Sequence, residues 1–84
     1  MVKYKLIQYE VWGNYREGYE INNAFVIDTL ETDKEIEDIK DVRKLIPSLG
    51  RNVFIDPKYD SEFSIYLIKG KREKPIGELR KIHA

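Results

Sequence analysis

Tyr9-Glu10-Val11-Trp12-Gly13-Asn14-Tyr15-Arg16-Glu17-Gly18-Tyr19-Glu20-Ile21-Asn22-Asn23 is the stretch around which the chain is read. It holds the one tryptophan, three of the six tyrosines and two of the five glycines. Gly13 and Asn14 both tolerate positive φ, glycine because it lacks a Cβ and asparagine because its short amide bonds locally. Gly18 breaks the chain again. The flanks Lys3–Trp12 and Tyr19–Asp28 are rich in Tyr, Val, Ile and Phe, as strands are. The stretch therefore predicts a β-hairpin with a loop at 13–18, longer than a two-residue turn. Trp12, Tyr15 and Tyr19 crowd one end of it. Two readings stand: the rings seal the end of a core, or they form an exposed anchor for a partner, as Trp and Tyr often do.

In the first strand Ile7, Tyr9 and Val11 alternate on one face, and Tyr4, Leu6 and Trp12 on the other. In the second, Tyr19, Ile21, Phe25 and Ile27 are expected on one face, with a bulge or bend at Asn22-Asn23. Ile36, Ile39, Val42, Leu45, Ile46 and Leu49 then recur at three- and four-residue spacing, the stripe of an amphipathic helix. Its start has two solutions. Thr32-x-x-Glu35 reads as a capping box. Asp38 with Asp41 caps a shorter helix and leaves Thr29–Glu37 to extend the second strand. Pro47 disfavours helix at Ile46 and Gly50 terminates. Three strands follow, Asn52–Asp56, Glu62–Lys69 and Ile76–Ile82, separated by the turns Asp56–Ser61 and Gly70–Pro75. The expectation is one α+β domain over 1–84, ordered ββαβββ, an antiparallel sheet with one helix packed on one face. An edge at Ile76–Ile82 would allow two copies to pair.

With 84 residues and no cysteine, disulfides and thiolate metal sites are excluded. Net charge is zero but unevenly laid out. Residues 1–42 carry five bases against ten acids, and residues 43–84 carry ten against five. The acids concentrate in 28–41 and the bases in 69–81. These segments either attract each other across the fold or serve partners, the acidic one by imitating a phosphate backbone. Met1-Val2-Lys3-Tyr4-Lys5 reads as a strand start and not as a leader, and no apolar run is long enough to span a bilayer, so a cytoplasmic location is expected.

Catalysis needs a positioned acid, base or nucleophile, and the inventory is thin. His83, the one histidine, stands next to the last residue, where chains fray. Ser48, Ser61 and Ser64 have no G-x-S-x-G around them. Glu10 and Glu20 face each other across the hairpin if its register is simple, but solvated strand positions explain them better than a glycosidase pair. Asp56, Asp60 and Glu62 lack the EF-hand spacing, and no phosphate or dinucleotide loop is present. A non-enzymatic role without cofactor or metal is expected. The protein-binding reading rests on Trp12, Asn14, Tyr15 and Arg16. The alternative, single-stranded nucleic acid, rests on Tyr66, Lys69, Lys71, Arg72 and Lys74: an aromatic beside a basic segment.

Val11-Trp12-Gly13-Asn14, followed by Glu17-Gly18-Tyr19-Glu20-Ile21-Asn22-Asn23, resembles a pattern in small uncharacterised bacteriophage proteins. There it runs Asp-Val-Trp-Gly-Asn, two residues, Asp-Gly-Tyr-Glu-Val-Asn. This chain has Glu10 and Glu17 where that pattern has Asp. The ending Pro75-Ile76-Gly77-Glu78-Leu79-Arg80-Lys81-Ile82 is similar as well. The resemblance covers about a quarter of the chain. It implies phage or prophage origin and a role inside an infected cell, and it implies no activity.

Overall fold

The structure, a computed structural model, describes residues 1–83. In order it holds β1 (Val2–Asn14), β2 (Gly18–Thr32), α1 (Ile39–Leu45), β3 (Val53–Pro57), a 3-10 turn (Tyr59–Ser61), β4 (Phe63–Lys69) and β5 (Arg72–Ile82). The strands form one antiparallel sheet in the order β2-β1-β5-β4-β3. The domain is thus a five-stranded sheet with one short helix.

Alternation along the strands builds the core. Tyr4 and Leu79 are fully buried, and Ile55, Phe63 and Ile65 join them from β3 and β4. Val42 of α1 and its neighbours Ile36 and Ile46 complete the cluster. The helix is capped by Asp38, extended in backbone, whose side chain accepts the Lys40 N–H and whose carbonyl accepts the Asp41 N–H, each at 3.0 Å. Asp41 lies in its first turn and Arg43 and Lys44 in its last, matching the helix dipole. It stops before Ile46, at φ −122° and ψ 77°, because Pro47 pushes the preceding residue out of the α region. Arg43 then donates to the Gly50 and Val53 carbonyls and ties the helix to β3.

The β1–β5 ladder runs from Lys3↔Ile82 to Gln8↔Gly77 and goes no further. At Gly77 the two backbones touch: a Cβ there would collide with the Ile7 carbonyl oxygen. One residue on, Ile76 is an extra residue between Ile65↔Gly77 and Tyr66↔Pro75. This bulge is where Pro75, which has no N–H to give a ladder, sits within an inner strand. Beyond it, Tyr9–Asn14 pairs with β2 alone.

Several expectations are corrected. The helix takes the shorter solution, capped by Asp38, and the Thr32 hydroxyl donates to the Lys34 carbonyl instead of capping a helix. Ile39, expected in the apolar stripe, is largely exposed because it is the first helical residue, on the outer side. β5 starts at Arg72, leaving a tight turn at Gly70 (φ 65°) in place of a charged turn reaching Pro75. Ile76–Ile82 belongs to an inner strand: β5 lies between β1, which pairs with 77–82, and β4, which pairs as far as Leu79, and the outer strands are β2 and β3. Two bulges, with Ile27 and Asn22 as the extra residues, break the single face expected for β2.

The fully buried Tyr4 hydroxyl accepts the Ile36 N–H at 2.9 Å and pins the β2–α1 connection to the sheet. Tyr4→Phe leaves that buried donor without a partner. The expected loss is about 1–3 kcal/mol, read as a lower urea midpoint at unchanged slope.

Candidate functional site

The distal end of the β1–β2 ribbon is closed by the loop Tyr15–Glu17. Asn14 Oδ1 accepts the N–H groups of Arg16 and Glu17, each at 2.9 Å. Gly13 and Gly18, at φ 96° and 95°, flank it. At Gly13 a Cβ would strike the Gly18 carbonyl oxygen, so only glycine permits this closure. Trp12 is 59% exposed, and Tyr15 and Arg16 are exposed as well. The core is complete without the indole, so the sealing role is not the one Trp12 plays. Of the four residues singled out in the sequence, Trp12, Tyr15 and Arg16 present side chains outward, while the Asn14 carbonyl is spent on the loop.

The ribbon end lies against the end of the β4–β5 hairpin. The Arg72 guanidinium stacks 3.3 Å above the Tyr15 ring centroid. Gly13, Tyr15, Tyr19, Lys69, Arg72 and Lys74 line a cleft of about 290 Å³ between the two ends. Lys69↔Arg72 and Leu67↔Lys74 are facing pairs, so these side chains share one face of the hairpin. Tyr66, one residue from Leu67, points to the opposite face, where it lies 6.2 Å from Phe54. The structure therefore brings together Lys69, Arg72 and Lys74 with Tyr15 and Tyr19, and leaves Tyr66 outside; Lys71 is exposed in the turn. Among the described residues, Lys69, Lys71, Arg72 and Lys74 have no carboxylate within salt-bridge reach. The basic and acidic segments meet only at their inner ends, where Lys81 Nζ is 2.9 Å from Glu35. The Ser61 hydroxyl and then Lys81, both donating to Glu35, hold its carboxyl below the usual range.

β2 is the third feature, and the pattern of the sequence did not single it out. Apart from Tyr19, Leu30 and Thr32, which are half-buried, all its residues are exposed. These include Ile21 at 48%, Phe25 at 47%, Val26 at 58% and Ile27 at 55%. Val26 faces Ile7 and Phe25 faces Gln8, so apolar side chains leave both surfaces of the sheet. The unbroken run Ala24-Phe25-Val26-Ile27 was the available signal, since strands covered on both faces read as continuous apolar runs.

The sheet surface opposite the helix holds a polar cluster at the root of the ribbon. Arg80 bridges Glu78 at 2.9 Å and Glu62 at 3.5 Å. Burial, a hydrogen bond to Glu78 and that carboxylate's charge push the Tyr9 phenol up to about 12, with Arg80 pulling the other way. Glu10 and Glu20 do not face each other. The bulge at Asn22 shifts the register, Glu20 lies opposite Trp12, and Glu10 accepts from the Asn22 amide at 2.8 Å. Among the described residues no group of three His, Asp or Glu could hold a metal ion, and no helix is long and apolar enough to cross a membrane. His83 is exposed. Compared with protein-family models, curated proteins and solved structures, the chain matches none, so its own geometry carries the functional reading.

The Tyr9 phenol gives a pH signature. Its folded value lies above its unfolded value near 10, so the unfolded chain releases this proton first. Its contribution to stability is complete below pH 10 and is lost as pH rises from 10 to about 12. Ultraviolet titration of Tyr9→Phe should lack the phenol that ionises near 12, and the variant's stability should fall less steeply in that window.

Proposed function

We propose that this chain is a non-enzymatic protein-binding domain that docks its partner on the distal β1–β2 ribbon, with Trp12 as the anchor. The observation that carries this reading is the indole itself, 59% exposed on a doubly glycine-closed hairpin beside Tyr15 and Arg16. Large rings at a protruding, pre-organised end lose little side-chain entropy on docking, which is why they dominate binding energy elsewhere. The resemblance to small phage proteins suggests a host factor as partner, a defence component included, in the cytoplasm of an infected cell. Trp12→Ala is the test. Its fold should hold, with stability changed by about 0.5 kcal/mol or less, because no core contact is lost. Capture of the partner from host lysate, quantified by mass spectrometry, should fall roughly 30-fold, the equivalent of about 2 kcal/mol. Unfolding of the variant, or undiminished capture, would remove Trp12 from the site.

A second reading, single-stranded nucleic acid, is favoured by the cleft between the hairpin ends. Lys69, Arg72 and Lys74 there stand beside Tyr15 and Tyr19, the pairing of cations with stackable rings that single strands use. Tyr66 takes no part in it. On this reading a short oligonucleotide shifts in a gel at low salt. Arg72→Ala and Lys74→Ala each lower the slope of log affinity against log salt by about 0.7. No shift at low salt excludes it.

A further inference from the structure

We infer that β2 is a docking edge for an extended peptide segment with an apolar centre and basic ends, which adds to the sheet as a sixth strand. This rests on the protein-binding reading and names the partner's chemistry and the backbone that receives it. β2 is a 15-residue strand with a neighbour on one side only. Proteins normally blunt such an edge with lysine, proline or a short length, because its free N–H and C=O groups template another strand. β2 has no lysine, no arginine and no proline. Its middle carries Ile21, Phe25, Val26 and Ile27, all about half exposed or more, on both surfaces of the sheet. An added strand would give these side chains cross-strand neighbours on either face, the unit of sheet stabilisation. Two edge N–H groups, those of Ala24 and Thr29, are now taken up by the side chains of the residues before them, Asn23 and Asp28, at 2.9 and 2.8 Å. Those side chains swing away at little cost when a backbone carbonyl arrives.

Charge selects the occupant. The charged residues of β2 are Glu20, Asp28 and Glu31, with Glu17 and Asp33 just outside its ends. Only Glu31 has a cation, Lys3 at 3.7 Å. A second copy pairing through β2 would bring an all-acidic edge against another. A segment with lysine or arginine at its ends and apolar residues between them meets the acids at both ends and the apolar run in the middle. The mode is strand addition, in which main-chain hydrogen bonds give affinity and the alternating side chains give choice.

The test uses two synthetic peptides of about ten residues, a strand's length, alternating Val and Thr, one ended by Lys and one by Glu. Each is titrated into the full chain and followed by amide NMR. The Lys-ended peptide should perturb amides in 21–28, and the Glu-ended one should bind at least about tenfold more weakly, two exposed attractions having become repulsions. Ala24→Pro removes an N–H bonded to the Asn23 side chain and should abolish binding while the native spectrum persists. Should that variant lose its native spectrum, Val26→Lys, at an exposed position, is expected to do the same by setting a charge against the apolar centre of the peptide and blunting the edge. Equal binding of both peptides, no binding, perturbation elsewhere, or binding undiminished in a folded edge variant would overturn the proposal. So would a sedimenting dimer that the edge variant makes monomeric, since a second copy would then be the occupant. Partner capture lost in Trp12→Ala but kept in Ala24→Pro removes the edge and leaves the Trp12 reading standing; capture lost in neither removes that reading.

Discussion

The antiparallel contact of β1 with β5, ended by the touch of Gly77 on the Ile7 carbonyl, governs the rest of the structure. Up to Gln8, β1 has a strand on each side, and its inward residues Tyr4 and Leu6 meet Leu79 and the helix side of the core. Past Gln8 the bulge at Ile76 turns β5 away, and β1 keeps β2 as its one neighbour. One strand thus serves as the middle of a core over half its length and as the inner rail of a protruding ribbon over the other half.

The division separates the buried part of the sheet from the exposed part. The buried side chains come from the proximal strands and α1, and the hydroxyl of Tyr4 fastens the loop before the helix to them. The distal ribbon contributes little burial; its register carries the bulge at Asn22, and its loop is flanked by Gly13 and Gly18. Where the ribbon returns to the body, Tyr15 receives Arg72 and the two hairpin ends become one basic cleft. The Trp12 end and the β2 edge thus belong to the ribbon, and the cleft is shared between the ribbon and the β4–β5 hairpin.

Charge follows the same geometry. The acidic first half and basic second half of the chain neutralise each other where β5 lies beside the β2–α1 connection, through Lys81 and Glu35. At the outer end they stay apart: the β2 edge is acidic and the β4–β5 turn is basic. A zero net charge thus conceals two surfaces of opposite sign, each unsatisfied within the fold.

Much of the fold was legible because it depends on local periodicity. The glycine-closed hairpin, the buried Val42 of α1, the stop before Pro47 and the alternation of Phe63, Ile65 and Leu67 are each set by neighbours a few residues away. Trp12, Tyr15 and Arg16 could be nominated for the same reason, but not their exposure. What only the tertiary structure decided is which strand lies beside which. Putting β5 between β1 and β4 made an inner strand of the one that read as an edge and left β2 on the outside of the sheet. It separated Tyr66 from the lysines that follow it, and delivered Tyr15 and Tyr19 to them instead. The physical reason is that alternation specifies two faces of a strand but says nothing of its two sides. A strand's sides are settled by backbone pairing over long separations, where side-chain pattern has little hold and the position of a single bulge, as at Ile76, determines which residues remain free.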